Sequence, residues 1–120
     1  MAYAGVGEME KAGNLLRHVP EDGEVQAALG LIHLNAGRAE MAVRVLARAA
    51  KSEPGNATRR LNLAAALLGA GRREQAKEEA LRAVALEPLL QDAYVLLAEI
   101  EPRRAGYWRE RFAIRFGRGR

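Results

Sequence analysis

The chain contains no cysteine, a single serine (Ser52), a single threonine (Thr58) and two histidines (His18, His33) in 120 residues. Without thiols there are no disulfides, no thiolate nucleophiles and no cysteine-based metal sites. Nucleophilic and acid–base catalysis need a nucleophile, a base and an orienting group within reach of one another, and so few hydroxyls and imidazoles leave little to build them from. Ser52 stands beside Pro54, where a capping or turn role fits, and His18 lies just before Pro20 at a solvated helix end. The histidines are not spaced i, i+4, which excludes the helical zinc motif. Carboxylate pairs such as Glu74 and Glu78 belong to a solvated face. Gly5-Val6-Gly7 has neither the preceding strand nor the third glycine of a dinucleotide loop. The expectation is a non-enzyme with no catalytic residues, no metal site and no cofactor.

Long apolar runs are also missing. The longest, around Leu61–Leu68, is interrupted by Asn62 and falls short of the roughly 20 residues a membrane helix needs. The N-terminus shows neither the positive nor the apolar region of a secretory signal, so a soluble, cytoplasmic protein with no membrane role is expected. β-Branched residues are sparse and nothing reads as a strand, while Ala, Leu, Arg and Glu favour helix throughout. Only three lysines (Lys11, Lys51, Lys77) accompany sixteen arginines, a bias that fits a GC-rich bacterial genome. Apolar residues at 49% and charged residues at 28% are ordinary for a globular domain with a core of its own.

What the sequence does have is a repeat. Shifted by 34 residues, Gly23–Asn56 aligns without a gap on Ala57–Leu90, and eleven pairs are identical. They include Leu29/Leu63, Leu34/Leu68, Gly37/Gly71, Ala42/Ala76, Ala49/Ala83 and Pro54/Pro88. Each unit holds two helical patterns. In the first, Val25, Leu29, Ile32 and Ala36 recur at spacings of three and four and predict one apolar stripe. Gly37 suits the left-handed residue that ends a helix. The second pattern runs from about Arg38 to Ser52 with Met41, Val45, Leu46 and Ala49 inward, and Pro54-Gly55 stops it. The same scheme predicts helices near 57–70 and 72–86. Gly30 and Ala64, set against Ala42 and Ala76, let paired helices approach closely. Such a pair cannot bury its stripe alone, so stacked neighbours complete the core.

The period, the small residues at Gly30/Ala64, Gly37/Gly71, Ala42/Ala76 and Ala49/Ala83, and the closing Pro54/Pro88 together resemble the tetratricopeptide repeat. The resemblance covers residues 23–90 well. It lacks the family's large aromatic near the start of the first helix, where Gln26 and Arg60 stand, although Tyr94 falls at that place in the next unit. His33 falls where the family has a core aromatic, which assigns it to packing. The resemblance implies an all-α, right-handed α-solenoid of stacked antiparallel helix pairs, about seven helices in all. Its expected divisions are a partial repeat at 1–22, repeats at 23–56 and 57–90, a degenerate C-terminal repeat or capping helix at 91–116 and a basic tail at 117–120. The partial repeat lacks a first helix, so the chain is expected to belong to a longer one or to a multiprotein assembly.

In that family the first helices line a concave surface that binds peptides. Carried onto this sequence, the lining positions are Ala27, Leu31, Leu34 and Asn35; then Thr58, Leu61, Asn62, Ala65 and Leu68; then Asp92, Val95 and Glu99. This mostly apolar strip suits an amphipathic helix or extended peptide. Only Asn62 survives from the clamp that chaperone-binding members close on acidic tails. The implied function is a non-catalytic adaptor for a protein or peptide. An alternative lies at the C-terminus, because residues 1–102 carry a net charge of −2 and residues 103–120 one of +6. There Tyr107, Trp108, Phe112 and Phe116 interleave with Arg103, Arg104, Arg109, Arg111 and Arg115, a composition for phosphate contact and base stacking, or for an acidic partner. The competing reading places Trp108, Phe112 and Phe116 on one face of a helix that caps the stack, with its arginines outward.

Overall fold

Glycine and proline punctuate the backbone at the predicted period. The computed structural model describes residues 23–117 and has α1 at Gly23–Asn35, α2 at Ala39–Ser52, α3 at Ala57–Gly69, α4 at Arg73–Leu86, α5 at Gln91–Ile100 and α6 at Ala105–Phe116. A 3₁₀ turn at Pro102–Arg104 separates α5 from α6, and no strand occurs among the described residues. The helix expected within 1–22 and tail residues 118–120 lie outside the described residues.

Gly37 and Gly71 take φ of 81° and 80°, a region where a side chain collides with its own backbone. There the Arg38 amide donates to the His33 carbonyl at 2.9 Å and the Gly37 amide to Leu34 at 3.0 Å. One period later Arg72 donates to Leu67 at 2.8 Å and Gly71 to Leu68 at 3.0 Å. Both turns satisfy the last helical carbonyls with the same two crossed bonds. α3 starts on Asn56, whose side-chain oxygen accepts the Arg59 amide at 3.1 Å and so occupies one of the free amides of the first turn. The third unit has no glycine at this corner; Pro102 leads a tighter turn closed by the Arg104 amide on the Glu101 carbonyl at 2.9 Å.

The helices pair as α1/α2, α3/α4 and α5/α6, and each second helix also packs on the next first helix. Along one side α1 meets α3 and α3 meets α5, so the first helices form the inner wall of a stack measuring 49 × 27 × 26 Å. Close approach rests on small side chains: Ala42, Ala49, Ala64, Ala76, Ala80, Ala83 and Ala93 are all completely buried. Among the larger residues, Leu46, Leu97 and Ile100 are sealed in the core.

Two details differ from the sequence reading. The buried positions of α1 are Gly23, Gln26, Gly30 and His33, not the expected stripe. Ile32 is 57% exposed and Ala36 is exposed, with Val25 and Leu29 half-buried. The face that meets α2 is the one carrying Gly30, because only there can the backbones come close. Gly30 itself faces Leu46 rather than Ala42: a Cβ added to it would lie 2.5 Å from both Cγ and Cδ2 of Leu46.

The missing aromatic also has a structural equivalent. Tyr94 donates its hydroxyl to the Pro88 carbonyl at 2.9 Å. One period earlier, Arg60 donates its Nε to the Pro54 carbonyl at 3.2 Å. Each side chain ties the start of a first helix to the proline that closes the preceding unit, and a long polar residue does this as the tyrosine does.

Gly30 and Leu46 are thus one large–small pair, where the next unit has Ala64 and Ala80. Truncating Leu46→Ala should cost about 2–5 kcal/mol through the cavity it leaves. With Leu46 present, Gly30→Ala should destabilise by about 1–3 kcal/mol through overpacking. In the Leu46→Ala background the same change should stabilise by about 1 kcal/mol, the helix preference of alanine over glycine. Urea unfolding of the four proteins checks this sign reversal, and a stabilising Gly30→Ala in both backgrounds would contradict the packing.

Candidate partner-binding surface

The inner wall is built from the first helices, and it is uneven. Between α1 and α3 it is filled: Leu34 reaches Gly69, to within 3.2 Å of where a Cβ would stand, and Leu68 and Ala27 also pack on the core. Leu31 remains 37% exposed on this surface, with Asn35 and Thr58 exposed near its ends. Between α3 and α5 the wall opens into a cavity of about 280 Å³ lined by Leu61, Asn62, Ala65, Asp92, Val95, Leu96 and Glu99. Six of the twelve positions carried over from the family meet there; Ala27, Leu31, Leu34, Asn35, Thr58 and Leu68 do not line it. Leu61 forms its floor, only 8% exposed, because it packs with Ala83 and Ala93. It is therefore a core residue as much as a surface one.

A second cavity of about 360 Å³ continues from the first between α5 and α6, lined by Tyr94, Val95, Ala98, Glu99, Trp108, Arg109 and Phe112. Val95, 52% exposed, and Glu99 belong to both. Its aromatic wall was legible only as a capping face: the i, i+4 spacings of Trp108/Phe112 and Tyr94/Ala98 were available signals, but which faces α5 and α6 turn to each other was not.

Trp108 is held in place by its Nε1, which donates to Glu101 Oε1 at 2.9 Å. The other carboxylate oxygen of Glu101 pairs with Lys77 at 2.9 Å. The bonds from Lys77 and Trp108 hold the Glu101 carboxyl below its ordinary range against the opposing effect of burial. Arg73 caps the end of α5, donating to the Ile100 carbonyl at 2.5 Å. α4, α5 and α6 are thus joined by charge-assisted bonds at one corner. Asp92 and Glu99, by contrast, make no ion pair among the described residues.

The aromatics of the C-terminal segment mostly turn inward. Trp108 is 8% exposed, Phe112 and Phe116 pack against the core, and Phe116 meets Tyr94 edge-on at 5.7 Å. Tyr107 alone of the four is exposed, and it lies under the guanidinium groups of Arg104 at 4.6 Å and Arg111 at 5.0 Å. Arg103, Arg104, Arg109, Arg111 and Arg115 are all exposed, with Arg109 at the mouth of the aromatic cavity.

These elements match solved structures. A mutant O-GlcNAc transferase from Thermobaculum terrenum superposes with a TM-score of 0.77 at 26% identity over 86% of this chain and 21% of that one. The second TPR of Spaghetti (RPAP3), bound to an HSP90 peptide, gives 0.71 at 17% identity over 85% of this chain and 98% of that one. The MamA protein of Desulfovibrio magneticus RS-1 gives 0.74 at 21% identity, covering 90% of this chain and 64% of that one. The chain has a tetratricopeptide-repeat fold. No family model matches the sequence, and no curated protein matches it. The TPR stack spans about a fifth of the transferase and nearly all of the Spaghetti domain.

His33 sits away from the groove, at the turn of the first TPR unit. It is 3% exposed, and its Nδ1 accepts from Arg38 Nε at 3.1 Å. Its Nε2 is buried without a partner among the described residues, which fits packing, since Leu67 fills the same position one period on. Burial, and secondly the Arg38 charge, push its pKa below the ordinary 6.5. The unfolded chain therefore binds a proton there before the folded one does, and stability falls as pH drops below 6.5 toward the lowered value. For Glu101 the sign is opposite: its contribution is full above its ordinary 4.5 and disappears as pH falls through its lowered value. Melting temperatures between pH 8 and pH 4 should show a decline starting near neutrality, flattened in His33→Leu. Equal slopes in both proteins would mean that the imidazole is not held neutral.

Proposed function

We propose that this chain is a non-catalytic interaction scaffold that presents its inner wall to a peptide or helix of another protein. The observation that carries this reading is the continuous groove along α5, where two adjoining cavities share Val95 and Glu99 and are lined chiefly by apolar side chains. An apolar groove with a few convergent polar groups is the surface on which amphipathic segments dock. The Spaghetti domain, which has the same fold, is described as bound to a peptide, and that likeness supports the reading without supplying a partner.

The alternative of a nucleic-acid or acidic partner at the arginine-rich segment retains its charge but has little to stack with. Three of its four aromatics are packed into the stack, so phosphate contact alone would have to carry it.

Leu31→Glu and Val95→Glu place charge on exposed positions of the wall and should leave melting temperatures within a few degrees of wild type. Leu61→Glu is unsuitable, because it would bury a charge in the core. In affinity capture, groove partners should be retained by wild type and by Ile114→Glu on the 73%-exposed outer position, and lost from Val95→Glu. Partners that bind all three proteins alike would rule out the groove.

A further inference from the structure

The charges around the groove restrict what it can receive. Asp92 and Glu99 stand two turns apart on α5 with Val95 between them, so their carboxylates flank the exposed apolar spot by roughly 10 Å. Neither is neutralised by an ion pair among the described residues, although nearby Glu101 has both oxygens engaged. Asn62 is the only other polar residue lining the α3–α5 cavity among the described residues. Among the described residues Arg109 is the one cation lining the groove; it lines the aromatic cavity, as Glu99 does, but not the α3–α5 cavity, and Asp92 lines only the latter. The α3–α5 end is therefore an apolar surface with an uncompensated negative rim, and the α5–α6 end is an apolar pocket with aromatic walls.

We propose that the occupant is a positively charged amphipathic segment of another protein. It seats an aromatic or large aliphatic side chain among Tyr94, Ala98, Trp108 and Phe112, and sets lysines or arginines against Asp92 and Glu99. The pocket, at about 360 Å³, has room for such an anchor, whose burial removes apolar surface from water. The ion pairs lie at an exposed rim, where solvent screening makes each contribute less. The anchor thus supplies most of the affinity and the rim decides which charge is admitted. Complementary charge favours the right partner and repels the wrong one. An acidic peptide such as SRMEEVD, the ligand of the Spaghetti domain, has the wrong sign for this rim.

The inference rests on the groove reading, and the test separates the two. Trp108 is the only tryptophan and forms a wall of the pocket, so its fluorescence reports occupancy in the full chain. The probes are three tryptophan-free synthetic helical peptides: one with a phenylalanine anchor and lysines seven residues apart, its twin with glutamates, and a lysine peptide with alanine for the anchor. The lysine peptide should shift Trp108 emission and bind at least roughly tenfold tighter than the glutamate twin, the sum of attraction and repulsion at two rim sites. Asp92→Lys/Glu99→Lys should reverse that order, and Ala98→Leu, which fills the pocket, should abolish the advantage of the anchor. Equal binding of both twins overturns the charge assignment and leaves the groove standing. Binding without a change at Trp108 overturns the pocket assignment. No binding of any peptide, by fluorescence and calorimetry alike, overturns both readings. If sedimentation shows self-association that Glu99→Lys abolishes, the occupant is the arginine-rich end of a second copy and the assignment to another protein is wrong.

Discussion

The close approach of paired helices at small residues is the constraint on which this structure depends. Not every helix has a wide apolar face of its own: α4 buries only Ala76, Ala80 and Ala83. A stripe of three alanines gives little hydrophobic stabilisation on an isolated helix, and helices of 10–14 residues are marginal alone in water. They become stable when each is flanked on both sides, and small side chains permit this by bringing the backbones together. The consequence is a stack in which second helices are enclosed between successive first helices and the first helices keep one side open. Stability then resides in neighbour contacts, and the proposed binding surface is the side those contacts leave uncovered.

Much of this was legible because it depends on backbone chemistry that few residues can perform. Gly37 and Gly71 had to be glycine for a left-handed turn, and Pro54 and Pro88 had to end a helix. The same crossed hydrogen bonds form at both turns, so the 34-residue identity reports a repeated conformation. The rotational phase of α1 was not legible. Val25, Leu29 and Ile32 make the more hydrophobic stripe, yet the helix turns Gly30 inward, because steric access to Leu46 outweighs the apolar area of Ile32. Nor could a pattern of apolar residues indicate that Arg60 would bond the Pro54 carbonyl as Tyr94 bonds that of Pro88. That substitution conserves a hydrogen bond and a position while changing every other property of the side chain.

For the inner surface, the positions on α5 and the three central ones on α3 converge on one cavity while those on α1 do not, since Leu34 and Gly69 close the wall between α1 and α3. Leu61 illustrates the limit of carrying positions over by register: its place on the helix is the expected one, but the alanines at 83 and 93 draw it into the core. The C-terminal segment shows the opposite case. Its aromatics and arginines are interleaved in sequence, and the helix sorts them, with Trp108, Phe112 and Phe116 inward and the guanidinium groups outward. The capping face and one wall of the groove are consequently the same residues. Completing the stack and shaping its pocket are one structural event, anchored by Glu101 between Lys77 and Trp108.

The central claim is that the first helices leave an open wall while the alanine-lined pairs are closed. The absence of native cysteine allows a direct measurement, the alkylation rate of single cysteines placed at Leu31, Val95 and Leu97 under native conditions. The account predicts that Leu31→Cys and Val95→Cys react at rates approaching those of the unfolded chain, while Leu97→Cys is protected until global unfolding. Protection of all three to the same degree would mean a closed bundle with no inner surface to offer a partner.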